Sequence, residues 1–133
     1  MILIDTHALI WLDRGDSSLG RKARTAAADA LTNSRLRVSA IGYREVALFV
    51  AQGNLRVRLP VERWRTDPMQ NGIRERMIDG ALAIAAIQPD GLHKDPADRL
   101  IVATALSLDA TLLTADEHIL AWPGPPRRLD ARL

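Results

Sequence analysis

The residues of this chain best suited to chemistry are four carboxylates, Asp5, Glu45, Asp98 and Asp116. Three of them follow short runs of β-forming residues, and Asp98 opens a strongly apolar segment with helical spacing. Buried parallel strands deliver such residues to one edge of a sheet, which is where open α/β sheets bind their ligands. We therefore expect the four carboxylates to converge at that edge.

Carboxylates held close together repel one another, so their pKa values rise unless a cation compensates the charge. The candidate ligands are oxygens, because the chain has no cysteine and no paired-histidine spacing. Mg²⁺ or Mn²⁺ is therefore favoured over Zn²⁺. A metal held by acids can activate water, which is the chemistry of metal-dependent phosphodiester hydrolysis.

Each acid also has a purely structural interpretation. Most glutamates in the position of Glu45 are solvated helix residues, Asp116 can cap a short helix, and Asp98 suits the first turn of a helix through the helix dipole. His93 can be a ligand or a base, although hydrogen bonding within its own loop is the simpler interpretation. The functional hypothesis therefore depends on the acids acting together.

The composition indicates one globular domain spanning residues 1–133. A chain of 133 residues, 47% of them hydrophobic, can bury a core but is short for two domains. The lack of cysteine excludes disulfides, thiolate metal sites and a cysteine nucleophile. The N-terminal apolar run lacks the features of a signal peptide, and no stretch approaches the length of a membrane span. We expect a cytoplasmic protein with no membrane partner.

The basic residues are almost all arginine, and the formal net charge is +2 with a pI of about 9.7. Arginine binds phosphate and stacks on bases, which favours a nucleic-acid partner, but genome base composition explains the bias equally well. The middle of the chain, where Pro60 and Pro68 interrupt the pattern, carries Arg56, Arg58, Arg63, Arg65, Arg74 and Arg76. Trp64 lies among them, and a core position is favoured for it over a base-stacking role. A basic surround to an acidic centre would suit a nucleic-acid substrate.

Hydrophobic periodicity predicts an α/β fold in which helices cover both faces of a parallel sheet of four to five strands. Strands are predicted at residues 1–5, 36–40, 73–78, 111–114 and 127–129. Helices are predicted at residues 8–12, 19–32, 40–52, 61–65, 80–87, 96–108 and 117–121. Right-handed crossovers and a sheet order of 3-2-1-4-5 would place the ends of the first and fourth strands side by side.

Side chains that can cap helices precede several of these segments. Ser39, Asp79 and Asp95 are the expected N-caps of the helices that follow them. Ser17 or Ser18 is expected to cap the helix at residues 19–32, after a turn over residues 13–18.

Four short motifs, taken together, resemble a known family. They are IDTH at residues 4–7, SAI at 39–41 followed by Glu45, HKDPADRLI at 93–101 and TAD at 114–116. In this order and spacing they resemble a PIN-domain ribonuclease and, more narrowly, the VapC-type toxin of type II toxin-antitoxin systems. The resemblance covers nearly the whole chain, and its specificity comes from the four motifs being in register.

The resemblance implies a three-layer α/β/α PIN-like fold, with a single PIN domain over residues 1–133. It implies an endoribonuclease that uses Mg²⁺ or Mn²⁺ to cleave RNA. It also implies two protein partners, a cognate antitoxin that occludes the cleft and a second copy of the chain in a homodimer.

The resemblance carries over to individual positions. The family's four catalytic and metal-binding acids correspond to Asp5, Glu45, Asp98 and Asp116. Thr6 and Thr114 fall where the family often has hydroxyl residues, so we expect them to support the acids without binding the metal. The chain departs from the commonest pattern at His7, where asparagine is usual, and the contribution of that position stays open.

Two other interpretations remain. Phosphoryl-transfer enzymes of the haloacid dehalogenase type also open with an apolar strand ending in aspartate, but they need a second aspartate two residues on, where this chain has His7. The other is a PIN-like module that binds RNA or a protein without cutting. Such a module would be expected to have lost an acid, and all four are present here.

Overall fold

A parallel sheet forms the centre of the molecule in the computed structural model, which describes residues 1–67 and 72–133. Its strands are β1 (Ile2–Ile4), β2 (Leu36–Ser39), β3 (Arg74–Arg76), β4 (Thr111–Thr114) and β5 (Arg128–Asp130). Within the described ranges all of them pair in parallel in the order β3-β2-β1-β4-β5, which confirms the predicted order. The strands β1 and β4 are therefore neighbours that end at the same edge of the sheet.

Helices connect the strands. They are α1 (Thr6–Arg14), α2 (Arg21–Thr32), α3 (Ala40–Ala51), α4 (Val61–Thr66), α5 (Gly80–Ala85), α6 (Pro96–Ser107) and α7 (Glu117–Ala121). None of these helices, in the part of the chain that the structure describes, is long and apolar enough to cross a membrane. The predicted break at Pro68 lies outside the described residues.

The helix α1 is longer than predicted at both ends. Asp5 caps it directly after β1 by accepting a hydrogen bond from the backbone N–H of Thr6, so Asp5 alone separates strand and helix. The helix ends at Gly15, which adopts a left-handed conformation with a φ of 64°. The turn predicted at residues 13–18 is therefore partly wrong, because its first two residues belong to α1.

The strands alternate their side chains between two hydrophobic cores, one on each face of the sheet. Ile4 packs with Leu9 of α1 and Val46 of α3 on one face. Leu3 packs with Ile101 of α6 on the other face. Leu3 and Ile4 are 0% and 2% exposed, as expected for a central parallel strand with helices on both sides. The predicted α/β/α architecture is confirmed.

Trp64 is a core residue, with 2% of its surface exposed. Its indole N–H donates a hydrogen bond of 2.9 Å to the carboxylate of Asp13 in α1. Its ring packs edge-on against Tyr43 at a centroid distance of 6.0 Å. The core interpretation is therefore confirmed, and the indole ring is not available for base stacking.

Most of the predicted N-caps are observed. Side chains of Ser39, Asp79, Asp95 and Asp116 accept hydrogen bonds from backbone N–H groups in the first turns of α3, α5, α6 and α7. These caps are recognisable from sequence because they depend on a side chain and on backbone groups two or three residues away.

The cap predicted for α2 is wrong. Neither Ser17 nor Ser18 caps this helix, whose N-cap is Gly20 with no side-chain hydrogen bond. The carbonyl oxygen of Leu133 instead accepts backbone N–H groups in the first turn of α2, at 2.7 and 3.3 Å. A Cβ atom on Gly20 would lie 2.0 Å from the carbonyl carbon of Leu133, so glycine permits this close approach.

Candidate active site

The four predicted acids lie around one cleft at the carboxyl end of the sheet. Asp5 directly follows β1, and Asp116 follows its neighbour β4. Glu45 projects from α3 and Asp98 from the first turn of α6. The cleft has a volume of about 530 Å³, and its lining residues, called here the acidic cleft, are Asp5, His7, Trp11, Glu45, Phe49, Asp95, Asp98, Ala115, Asp116 and Glu117. The expected convergence is therefore present.

Asp5 is the most buried of these acids and is held by hydrogen bonds on both oxygens. The backbone N–H of Thr6 donates to Oδ1 at 2.7 Å, and the hydroxyl of Thr114 donates to Oδ2 at 2.6 Å. Burial raises the pKa of Asp5, while the hydrogen bonds from Thr114 and Thr6 act in the opposite direction. The carboxylate is therefore fixed in orientation but is costly to ionise.

The two threonines link Asp5, Glu45 and Asp116 into a continuous network. The hydroxyl of Thr6 donates to Oε1 of Glu45 at 2.9 Å. The hydroxyl oxygen of Thr114 accepts the backbone N–H of Asp116 at 3.0 Å while its proton goes to Asp5. Each threonine thus supports two acids from different elements. This is the position that a group orienting metal ligands would occupy.

Glu45 also has a raised pKa. Desolvation by burial is the main cause, the hydrogen bond from Thr6 opposes it, and the negative charges of Asp5 and Asp95 raise it further. Glu45 is half-buried and hydrogen-bonded, and so differs from the solvated helix residue considered as its purely structural interpretation. A carboxylate with a raised pKa binds a proton more strongly than an ordinary glutamate does.

Asp98 also has a raised pKa: burial raises it to about 7, and the charges of Asp116, Asp95 and Asp5 contribute in the same direction. The positive charge of His93, when present, lowers it. A carboxyl group near half-ionisation at neutral pH, surrounded by other acids, marks an excess of negative charge. A divalent cation would relieve that excess.

His93 lies next to the acids, on the loop before α6. Its Nε2 atom is 2.7 Å from Oδ2 of Asp98. One ligand atom each of His93, Asp98 and Asp116 lie within 4.8 Å of one another in the described part of the chain. On its other side, the ring of His93 stacks against that of His118 at 4.5 Å. The sequence left the role of His93 open. In the structure its side chain contacts Asp98, a lining residue of the acidic cleft, while His93 itself lines a neighbouring pocket with His118.

Two carboxylates of the cleft were not predicted as site residues. Asp95 was interpreted only as the cap of α6, a role that it has, although its place in the motif with His93 and Asp98 was a usable signal. Glu117 carries no sequence signal, since it simply follows Asp116 at the start of α7. Both add negative charge to the cleft.

His7 forms part of an aromatic wall beside the acids. Its ring lies 5.5 Å from that of Phe49 and 6.4 Å from that of Trp11. The three side chains line both the acidic cleft and an adjoining cavity of about 290 Å³. His7 therefore places an exposed aromatic ring at the rim of the cleft.

The arginines in the middle of the chain are partly neutralised. Arg65 forms a two-point ion pair with Glu75, with distances of 2.7 and 3.2 Å. Arg58 and Arg76 lie 3.9 and 3.6 Å from aspartate oxygens. The remaining three of the six arginines in this region, Arg56, Arg63 and Arg74, are exposed. The basic surround is therefore weaker than the residue types alone indicate.

The donor set of the cleft fits a divalent cation. Carboxylate oxygens from four elements or loops meet there, which suits Mg²⁺ or Mn²⁺. Asp98 and Asp116 have ligand atoms close enough to share one ion, and Asp5 and Glu45 line the same cleft. The raised pKa of Asp98 is what such a set shows when no positive charge balances it.

Known proteins share this chain's fold and sequence pattern. Ribonuclease VapC22 of Mycobacterium tuberculosis is 29% identical over 124 residues, which is 93% of each chain. The solved structure of FitAcB from Neisseria gonorrhoeae has a TM-score of 0.68 at 22% identity and 98% coverage of each chain. That of VapBC2 from Rickettsia felis, bound to a DNA fragment from its promoter, has a TM-score of 0.68 at 15% identity, covering 98% of this chain and 100% of that one. The family model of the PIN domain matches residues 2–123, and the chain therefore belongs to the PIN domain family.

Proposed function

We propose that this chain, as a single PIN domain over residues 1–133, is a metal-dependent endoribonuclease and the toxin of a type II toxin-antitoxin pair. The observation that carries the proposal is the acidic cleft, where Asp5, Glu45, Asp98 and Asp116 meet at one edge of the sheet. The relative named a ribonuclease and the likeness in fold to a solved toxin-antitoxin complex support it. The proposed cofactor is Mg²⁺ or Mn²⁺.

In the proposed reaction, Asp98 and Asp116 would hold a divalent ion, and Asp5 lies beside them in an orientation set by Thr114. Such an ion would supply positive charge for the scissile phosphate and for activation of a water molecule. Glu45, whose pKa is raised by burial, accepts a proton from the attacking water. Thr6 keeps the carboxylate of Glu45 turned towards the cleft through its hydrogen bond.

The proposed partners follow from the family and from the chemistry. RNA is the substrate, and exposed arginines hold its phosphate backbone. A cognate antitoxin blocks the acidic cleft, and two copies of the chain form a homodimer in the cytoplasm. One similar solved structure is a toxin-antitoxin complex from Klebsiella pneumoniae, which supports the antitoxin as a partner.

The test is RNA cleavage by the purified chain with Mg²⁺, Mn²⁺ or EDTA, using structured and unstructured RNA. Asp5→Asn and Asp98→Asn are compared with the control Asp109→Asn. Asp109 precedes β4, at the opposite end of that strand from Asp116, and its side chain is 92% exposed. Asparagine also tolerates its left-handed conformation, with a φ of 48°.

We expect cleavage with Mg²⁺ or Mn²⁺ in the wild type and in the Asp109→Asn control, and none with EDTA. Loss in both site variants, with the fold intact by circular dichroism, would support the enzyme and its site together. RNA binding without cleavage under any metal would contradict the proposal and leave a PIN-like binding module.

A further inference from the structure

We propose that Nε2 of His93 is a ligand of the divalent ion, together with the carboxylates of Asp98 and Asp116. The site would then be a mixed nitrogen and oxygen site that favours Mn²⁺ over Mg²⁺. This inference rests on the proposed function only in requiring that the acidic cleft hold a metal. It differs from the all-carboxylate site that the sequence predicted.

The first argument is the contact between His93 and Asp98. The Nε2 and Oδ2 atoms are 2.7 Å apart, yet the buried Nε2 forms no hydrogen bond within residues 1–67 and 72–133. A buried polar atom without a hydrogen bond is destabilising. Neighbouring ligands of one ion lie about 3 Å apart when each is about 2.1 Å from the metal. A shared cation therefore accounts for both the short distance and the missing hydrogen bond.

The second argument is that the loop carrying His93 is held rigidly. The guanidinium of Arg99 donates hydrogen bonds to five backbone carbonyls between residues 86 and 93, at 2.9–3.4 Å, and one of these is the carbonyl of His93 itself. Arg99 adjoins Asp98 on α6, so the same helix fixes the carboxylate and the backbone of the histidine. Such preorganisation is typical of metal ligands.

The ring of His93 is oriented as well. It stacks on His118 of α7 at 4.5 Å, and α7 is the helix that Asp116 caps. The imidazole therefore lies between a stacking partner and the two carboxylates. This arrangement leaves Nε2 directed towards the acids, because it is the atom that approaches Asp98.

The proposed ligand has a consequence for metal preference. Carboxylates bind Mg²⁺ and Mn²⁺, whereas imidazole prefers transition metals. A nitrogen ligand therefore adds more to the affinity for Mn²⁺ than to the affinity for Mg²⁺. The loss of His93 should reduce the binding of Mn²⁺ selectively.

The test uses EDTA-treated full-length protein loaded with Mn²⁺, and pulsed electron paramagnetic resonance to detect nitrogen coupled to the metal. Protein labelled with ¹⁵N in its histidines identifies the nitrogen as imidazole. His93→Gln is compared with His118→Gln and His7→Gln, because the chain has three histidines. Calorimetric titration with Mn²⁺ and with Mg²⁺ gives both affinities for each variant.

We expect histidine nitrogen coupling in the wild type, in His118→Gln and in His7→Gln, and its loss in His93→Gln. The affinity for Mn²⁺ should fall at least about tenfold in His93→Gln, and that for Mg²⁺ should fall less. Should His93→Gln not fold, the wild-type spectrum and the other two variants still assign the nitrogen by elimination.

Two results would overturn the inference in distinguishable ways. Mn²⁺ that binds without nitrogen coupling, and whose binding is lost in Asp98→Asn, would leave an all-carboxylate metal site and spare the proposed nuclease. Failure of the wild type to bind either ion would remove both the His93 ligand and the metal-dependent nuclease.

Discussion

Replacing Asp98 by asparagine is expected to stabilise the metal-free protein at neutral pH while removing a proposed metal ligand. Burial and the charges of Asp116, Asp95 and Asp5 raise the pKa of Asp98 from 3.8 to about 7. The folded state therefore retains a proton that the unfolded state releases, so the free energy of unfolding falls as pH rises between these two values. Asparagine mimics the protonated acid at every pH.

The size of the effect follows from the two pKa values. The rise from 3.8 to about 7 sets an upper limit of roughly 4 kcal/mol, at 1.36 kcal/mol for each pKa unit, and the solvent that reaches this half-buried group reduces the expected effect to about 2 kcal/mol. The difference between the variant and the wild type should be small below pH 4, grow through the acidic range and level off above pH 7. For a domain of this size, about 2 kcal/mol corresponds to a rise in Tm of about 5–8 °C.

The assay is urea denaturation of EDTA-treated wild type, Asp98→Asn and the exposed control Asp109→Asn at a series of pH values from 4 to 8. Saturating Mn²⁺ should reverse the order at pH 7, because a ligand that binds only the folded wild type stabilises it by mass action. The control should follow the wild type under both conditions.

Two outcomes would refute the reasoning. A difference in stability between Asp98→Asn and the metal-free wild type that stays constant from pH 4 to 7 would show that Asp98 ionises normally in the fold. An Asp98→Asn variant less stable than the wild type at pH 8 would show that the carboxylate has a stabilising partner that outweighs burial and repulsion.

Two further substitutions test the supports of the site and of the fold. Thr114→Val removes the donor to Asp5 and should lower the free energy of unfolding by about 2 kcal/mol and slow RNA cleavage; an unchanged urea midpoint would contradict the role of this hydrogen bond. Gly20→Ala places a Cβ 2.0 Å from the backbone of Leu133 and should destabilise by about 1–3 kcal/mol. The control Gly80→Ala, which meets nothing within 4 Å, should change stability by less than about 0.5 kcal/mol, and equal Tm values for the two variants would argue against the clash.

Most helix starts could be predicted because they depend on local patterns, and the sheet order because right-handed crossovers between parallel strands leave few alternatives. The apolar run of β1 and the caps Ser39, Asp79 and Asp95 act over a few residues, and each appears where predicted. The bounds of α1 and β3 differ by a few residues, because helix ends and edge strands respond to contacts that periodicity does not contain.

The cap of α2 shows where local reasoning stops. Ser17 and Ser18 have suitable side chains, but the carbonyl that meets the first turn of α2 comes from Leu133, more than a hundred residues away. The glycine at position 20 can be explained by this contact only because the structure shows that Leu133 approaches it. No sequence pattern near residue 20 predicts that a segment distant in the sequence packs against it.

The sequence alone determined which elements carry Asp5, Glu45, Asp98 and Asp116, because strand ends and helix starts are set by short-range propensity. Only the tertiary structure decided what surrounds those acids. His93 approaches Asp98, the threonines link separate elements, and the pKa of Asp98 rises through charges contributed by other parts of the chain. Desolvation and repulsion depend on distances through space, which residue order does not contain.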